Sequence, residues 1–282
     1  LVKINGQPDA VKVHIPWRRR DINPEAKDIR IYDSATGKLL TNTAKIEIRR
    51  EYGDIAFQPT TASGTYEVYY LPYNPGKANF DDAGTYFTPQ DTADSAWLKR
   101  NNLASDQISG GQWKSLPDAE VVEIQSRDEF NSFYPMEVVA THEEVSDLLA
   151  KNTGKDYLLF TEDRKYPIRM MEELPLKWID EGPRDAFSGS AQPGEYYVFQ
   201  LGIYTAEKPL NNIKLTNSGL KSSSGADIAS SKITCFNLEG VDWLGNPFKK
   251  DLDIPKGMVQ PMWIGFQLPK TAKGTYKGTF TL

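Results

Sequence analysis

The sequence is poor in the residues that most chemistry relies on. Its 282 residues hold one cysteine, Cys235, and two histidines, His14 and His142. A single cysteine excludes an intramolecular disulfide and any site built from several thiolates. Two histidines so far apart give little basis for an imidazole-ligated metal, so neither a metal nor another cofactor is expected. No run approaches the roughly 18 apolar residues that a membrane-crossing helix needs, and mean hydropathy is −0.53. A basic excess is lacking as well. The 33 Lys and Arg against 38 Asp and Glu leave a net charge of −5 and a pI near 5.3, the reverse of a dedicated nucleic-acid binder. There is no phosphate-cradling loop, dinucleotide fingerprint, EF-hand loop or nucleophile elbow.

What remains is an ordinary folded composition, 39% hydrophobic and 11% aromatic, on a chain long enough for two domains. Its commonest pattern is alternation with a period of two. Asp28-Ile29-Arg30-Ile31-Tyr32, Lys45-Ile46-Glu47-Ile48-Arg49 and Gly64-Thr65-Tyr66-Glu67-Val68-Tyr69-Tyr70-Leu71 each read as a half-buried strand, and Pro72 ends the last. Short strands separated by turns such as Asp33–Lys38 predict a sandwich or barrel, placing a first module over residues 1–73. Residues 74–117 break the rhythm and are read as a connector packed by Trp97 and Trp113.

A second module is placed over residues 118–282. Thr141-His142-Glu143-Glu144 forms a capping box ahead of Val145, Leu148 and Leu149, predicting a helix at about 141–152. Ser126-Arg127-Asp128-Glu129 repeats the box before Phe130 and Phe133 and predicts one helical turn. Strands are expected at Pro193–Tyr204, Lys232–Phe236, Met258–Leu268 and Gly274–Leu282. The fold class is therefore mainly β: two β-sandwich modules, immunoglobulin-like or jelly-roll-like, with one or two short helices.

No complete active site is legible. Six adjacent acidic pairs, among them Asp81-Asp82, Asp128-Glu129, Glu162-Asp163 and Asp180-Glu181, are about what chance supplies among 38 acids. Adjacency alone does not set two carboxyls across a sugar. Cys235 beside Phe236 reads as a buried inert thiol, and His142 as a solvated helix-terminal residue. Trp17-Arg18-Arg19-Arg20-Asp21 is the sharpest charge feature. It offers a guanidinium beside an indole for an anionic sugar, against the plainer reading that the arginines pair with Asp21 and Asp28. Trp178 and Trp263 sit among apolar neighbours and are expected in the core, whereas Trp243 lies in the turn-rich Gly240–Pro247 stretch. The candidate carbohydrate-binding residues are Trp243, Trp97, Trp113, Arg18 and Arg20. No catalytic residue is named.

Several stretches resemble the N-terminal β-sandwich region of large secreted bacterial proteins related to glycoside hydrolase family 123. Most lie in residues 117–282: Phe130–Glu137, Tyr166–Met170, Gly194–Gly202, Cys235-Phe236-Asn237 with Gly240–Trp243, and Trp263-Ile264-Gly265 with Gly274–Gly278. Trp17–Asp21 and Tyr69–Tyr73 are similar to the part that precedes it. The resemblance implies a catalytic (β/α)8 barrel as partner, with an Asp-Glu pair assisted by the substrate's N-acetyl group. No strand–helix alternation of that kind occurs in these residues, and the Asp-Glu pairs present lie outside that context. The expected function is a non-catalytic sandwich fragment that supports such a barrel, the chain alone being inactive; the alternative is a carbohydrate-binding module with a glycan as ligand. The absence of an initial methionine and leader reads as a mature form, secreted, periplasmic or on the cell surface. The close at Thr279–Leu282 reads as a domain edge.

Overall fold

Alternation in the first seventy residues resolves into two antiparallel sheets packed face to face. In the computed structural model the described residues are 1–20, 23–70, 73–74, 85–125 and 135–282. They form two units, Leu1–Tyr134 and Pro135–Leu282. The first begins with β1 (Val2–Lys3), β2 (Val11–Ile15), β3 (Arg30–Asp33), β4 (Thr43–Ile48), β5 (Gly53–Phe57) and β6 (Thr65–Tyr69). A small pair, β7 (Tyr73–Asn74) and β8 (Thr85–Tyr86), follows, then the helices α1 (Ser95–Arg100) and α2 (Ser105–Ile108) and finally β9 (Glu120–Val121).

One sheet runs β3-β6-β1-β9 and the other β2-β5-β4. Val11, Val13 and Ile15 point inward from β2 while Lys12 and His14 point out. They meet Val2, Ile4, Ile31, Ile55, Phe57 and Tyr66 in one apolar core between the sheets. The chain before and in β9 closes one side: Ala119 N–H donates to the Lys12 carbonyl, and β9 pairs with β1. Trp17 lies across β5 at Gly53, where an added Cβ would sit 1.9 Å from the indole. Only glycine permits that approach.

The stretch expected to be a surface connector contributes to this unit. Asp94 caps α1 by accepting from the Trp97 N–H, and Trp97 of α1 and Leu103 beyond its end lie on a floor of Ala10, Ala44 and Ala56. Small side chains leave room for an indole, and Trp97 is 1% exposed.

The second unit is built on a four-stranded sheet, β10 (Tyr157–Asp163), β11 (Tyr196–Thr205), β17 (Val259–Gln267) and β14 (Ile233–Cys235), in that order. Chain order interposes α3 (His142–Lys151) and α4 (Leu176–Glu181), then the short strands β12 (Thr216–Asn217) and β13 (Lys221–Ser222). β15 (Glu239–Val241) and β16 (Pro247–Lys249) pair as a hairpin, and β18 (Tyr276–Lys277) and β19 (Phe280–Thr281) come last. Both faces of the sheet are covered. Tyr197, Phe199, Leu201, Ile203, Met262, Ile264 and Phe266 form one core with Leu220, Ile228 and the partly buried Tyr276 and Phe280, carried on and around the β12–β19 and β13–β18 pairs. Leu158, Phe160, Ile168, Tyr204 and Val259 form the other with Leu148 of α3 and Trp178 of α4. Coverage on both sides explains why β11 reads as nearly continuous apolar sequence.

The α3 box is formed as its sequence predicts: Thr141 Oγ1 accepts from the Glu144 N–H at 3.2 Å, and Glu144 Oε2 accepts from the Thr141 N–H at 2.7 Å. The second box, Ser126–Glu129, lies outside the described residues. Trp178 is in the core as expected, but on a helix, where its ring stacks on Phe160 at 4.4 Å and lies against Gly202. Trp263 is half-buried on β17.

Candidate functional site

The end of the first unit that holds the arginine run is built around an indole. Trp17 is buried, donates Nε1–H to the Arg49 carbonyl at 2.8 Å and stacks on Tyr70 with centroids 3.7 Å apart. Arg18 takes a left-handed backbone, φ 50°, and its N–H bonds the Glu51 carbonyl. Arg18 is half-buried and Arg20 exposed. Lys27 is buried with Nζ 3.7 Å above the Tyr70 ring. Burial pushes its ammonium down to about 7, with Arg19 adding repulsion. Asp28 accepts from Arg30 Nε at 2.8 Å. Asp21, the other expected partner, lies outside the described residues.

The three candidate tryptophans have three different settings. Trp97 is core: its Nε1–H donates to the Asp9 carbonyl at 2.8 Å, and Asp9 also binds Arg100 and Asn101. Neither face is open to a ligand ring, because the alanine floor and α1 enclose it. Trp113 is half-buried, with Nε1–H on the Ile108 carbonyl at 3.1 Å. Trp243 is 91% exposed at the tip of the β15–β16 hairpin. The turn beneath it is fixed by Asp242, which accepts from the Leu244 and Asn246 N–H groups and the Asn246 side chain. Those bonds hold the Asp242 carboxyl below its ordinary range.

The acids that the structure describes are mostly engaged in holding it together. Glu162 and Asp163 point to opposite faces of β10. Buried Glu162 accepts from Lys177 at 2.6 Å and from Trp178 Nε1 at 2.8 Å, while Asp163 accepts from the Tyr197 hydroxyl at 3.3 Å. Asp81-Asp82 and Asp128-Glu129 lie outside the described residues. His14 Nδ1 meets Asp54 at 2.8 Å on the outer face of β2 and β5. Cys235 is buried, and desolvation pushes its thiol up. Among the described residues no group of three His, Cys, Asp or Glu is placed to hold a metal, and no helix is long and apolar enough to cross a membrane.

Sequence reading missed a polar and aromatic concavity at β3 and β6, lined by Arg30, Tyr32, Glu67 and Tyr69 together with Asp33 at the end of β3 and Ser34 and Gly37 of the turn after it. Its signal was present in the alternation of each strand, which sets Arg30 with Tyr32 and Glu67 with Tyr69 on one face. The missing fact was that these two strands are neighbours.

The first unit is thus a two-sheet β-sandwich with no assembled catalytic group among its described residues. Residues 1–127 match the family model described as glycoside hydrolase 123, N-terminal domain, so this region is related to that domain. Among solved structures, one that matches is a family 123 glycoside hydrolase from Clostridium perfringens, analysed for the hydrolysis of glycolipid glycans. It is 21% identical, with a TM-score of 0.34, and the match covers 45% of this chain and 24% of that one. The chain thus matches about a quarter of that enzyme's length. No curated protein matches. The family match falls on the first unit, whereas most of the stretches that suggested the resemblance lie in residues 117–282. Short strands opened by a turn glycine recur in any sandwich, so they carry little family information.

Proposed function

We propose that this chain is a non-catalytic N-terminal β-sandwich portion of a secreted glycoside hydrolase, and that it supports a companion (β/α)8 catalytic domain. The match of residues 1–127 to an N-terminal domain of glycoside hydrolase 123 carries this reading. The described buried carboxylates fit it: Asp28 pairs with Arg30, Glu137 with Arg169 and Glu162 with Lys177, and Asp33 fixes a turn. Purified 1–282 is expected to leave aryl N-acetylhexosaminides intact. Turnover above the uncatalysed rate that survives repurification would overturn the reading.

A second reading, glycan binding through a loop tryptophan, is favoured at one position by the exposure of Trp243 on a braced turn. An indole face in water stacks on the C–H face of a sugar at little conformational cost. Loss of glycan-array signal in Trp243→Ala is the expected outcome. Signal equal to the parent chain would exclude that residue.

A further inference from the structure

The outer face of the sheet β3-β6-β1-β9 carries side chains that neither reading uses. β3 and β6 pair with Arg30 opposite Tyr69 and Tyr32 opposite Glu67. Ile31 and Tyr66 face the core, so a period of two sends these four outward. They form a two-by-two grid with the rings on one diagonal and the charges on the other. The rings meet edge to face, 5.5 Å apart at 90°. The Tyr69 hydroxyl donates to Glu67 Oε2 at 2.8 Å, and that bond raises the pKa of the phenol. Arg30 bonds Asp28 at 2.8 Å, with the Tyr32 hydroxyl as a second partner. Among the described residues the hydrogen bond that Glu67 accepts falls on Oε2, which leaves Oε1 as an acceptor. With Ser34 and Gly37 of the following turn, the grid walls a concavity of about 470 Å3, and Tyr69 is 52% exposed at its rim.

We propose that this concavity is a glycan subsite for one or two neutral pyranose rings, a ligand class that rests on reading the parent protein as a glycoside hydrolase. The Tyr69 ring offers a face for sugar C–H groups, Glu67 Oε1 accepts from a hydroxyl, and the outer guanidinium edge of Arg30 donates to another. An apolar ligand would desolvate Glu67 Oε1 and give it no donor. An anionic sugar would meet the Glu67 carboxylate. The volume lies within the ordinary range of ligand sites, about 300–1,000 Å3.

The test is a titration of the full chain with methyl β-galactoside, methyl N-acetyl-β-glucosaminide and methyl β-glucuronide, followed through the tyrosine ring resonances. Saturable shifts of Tyr32 and Tyr69 are expected with at least one neutral glycoside, and weaker ones with the glucuronide. Tyr69→Ala should weaken the association about tenfold, the scale of one aromatic contact. Glu67→Gln should weaken it less. Tyr69 is exposed and Glu67 half-buried, and far-UV circular dichroism checks that the variants fold. Silent rings with both neutral glycosides, an affinity untouched by Tyr69→Ala, or stronger binding of the glucuronide would each overturn the subsite. Aryl hexosaminide turnover in the same samples would overturn the non-catalytic reading and leave the ring shifts to stand or fall separately.

Discussion

Trp17, Trp97 and Trp178 bury their indoles, and each N–H finds an acceptor at 2.8 Å: the Arg49 carbonyl, the Asp9 carbonyl and Glu162. A buried donor left unpaired would carry a large desolvation cost, so these pairs fix where each ring sits. Trp97→Ala removes both the ring and the bond and should cost the chain about 3–5 kcal/mol in urea unfolding. A loss below about 1 kcal/mol would mean that the segment around α1 does not seal this core. Asp33 is a second case. It is buried, and hydrogen bonds from Thr61 and Thr60, then from the Thr36 and Ala35 N–H groups, hold its carboxyl down to about 2. The unfolded chain takes up this proton near pH 3.9, so the native state binds it less readily. The stabilisation is then complete above about pH 4 and is lost as pH falls through about 2. Asp33→Asn should lower the unfolding midpoint at neutral pH and flatten its decline between those two values; a parallel acid limb would refute the assignment.

At the scale of the element, legibility followed length and local chemistry. α3 carries its own start signal in Thr141 and Glu144. Thr141→Ala should cost about 1 kcal/mol, read as faster amide exchange in the first turn of α3 with β11 unaffected. Uniformly faster exchange across the second unit would place the cap's effect elsewhere. The strands β11 and β17 fall within a few residues of their expected limits because ten-residue and nine-residue, largely apolar runs that follow the turn glycines Gly194 and Gly257 leave few alternatives. α4 carries almost no signal in the sequence. It has six residues, Leu176–Glu181, too few for a 3.6-residue period to show, and only Gly182 beyond its end marks it. Asp94 caps α1, but residues 74–117 carry no apolar period that predicts a helix, and Trp97 reads there as an isolated aromatic. Its burial depends on alanines contributed by residues 10, 44 and 56.

At the scale of the molecule, each unit owns its cores. The second encloses a sheet between two apolar layers drawn from residues within Pro135–Leu282. Expressed alone, residues 135–282 should keep a β-type circular dichroism spectrum and melt cooperatively; a gradual, featureless melt would show that the unit depends on the first.

Periodicity by itself determined the β class, which side chains face inward along each strand, and the cap of α3. Composition by itself determined what chemistry the chain lacks. These follow from interactions between residues a few positions apart, which a linear reading contains. Only the tertiary structure decided that Trp97 is core while Trp243 stands in solvent, that Glu162 and Asp163 serve opposite faces, and that Arg30, Tyr32, Glu67 and Tyr69 share one concave surface. Each of those outcomes rests on register and packing between segments distant in sequence. Pairing energies there depend on which strands meet, and a strand's own alternation is compatible with many neighbours.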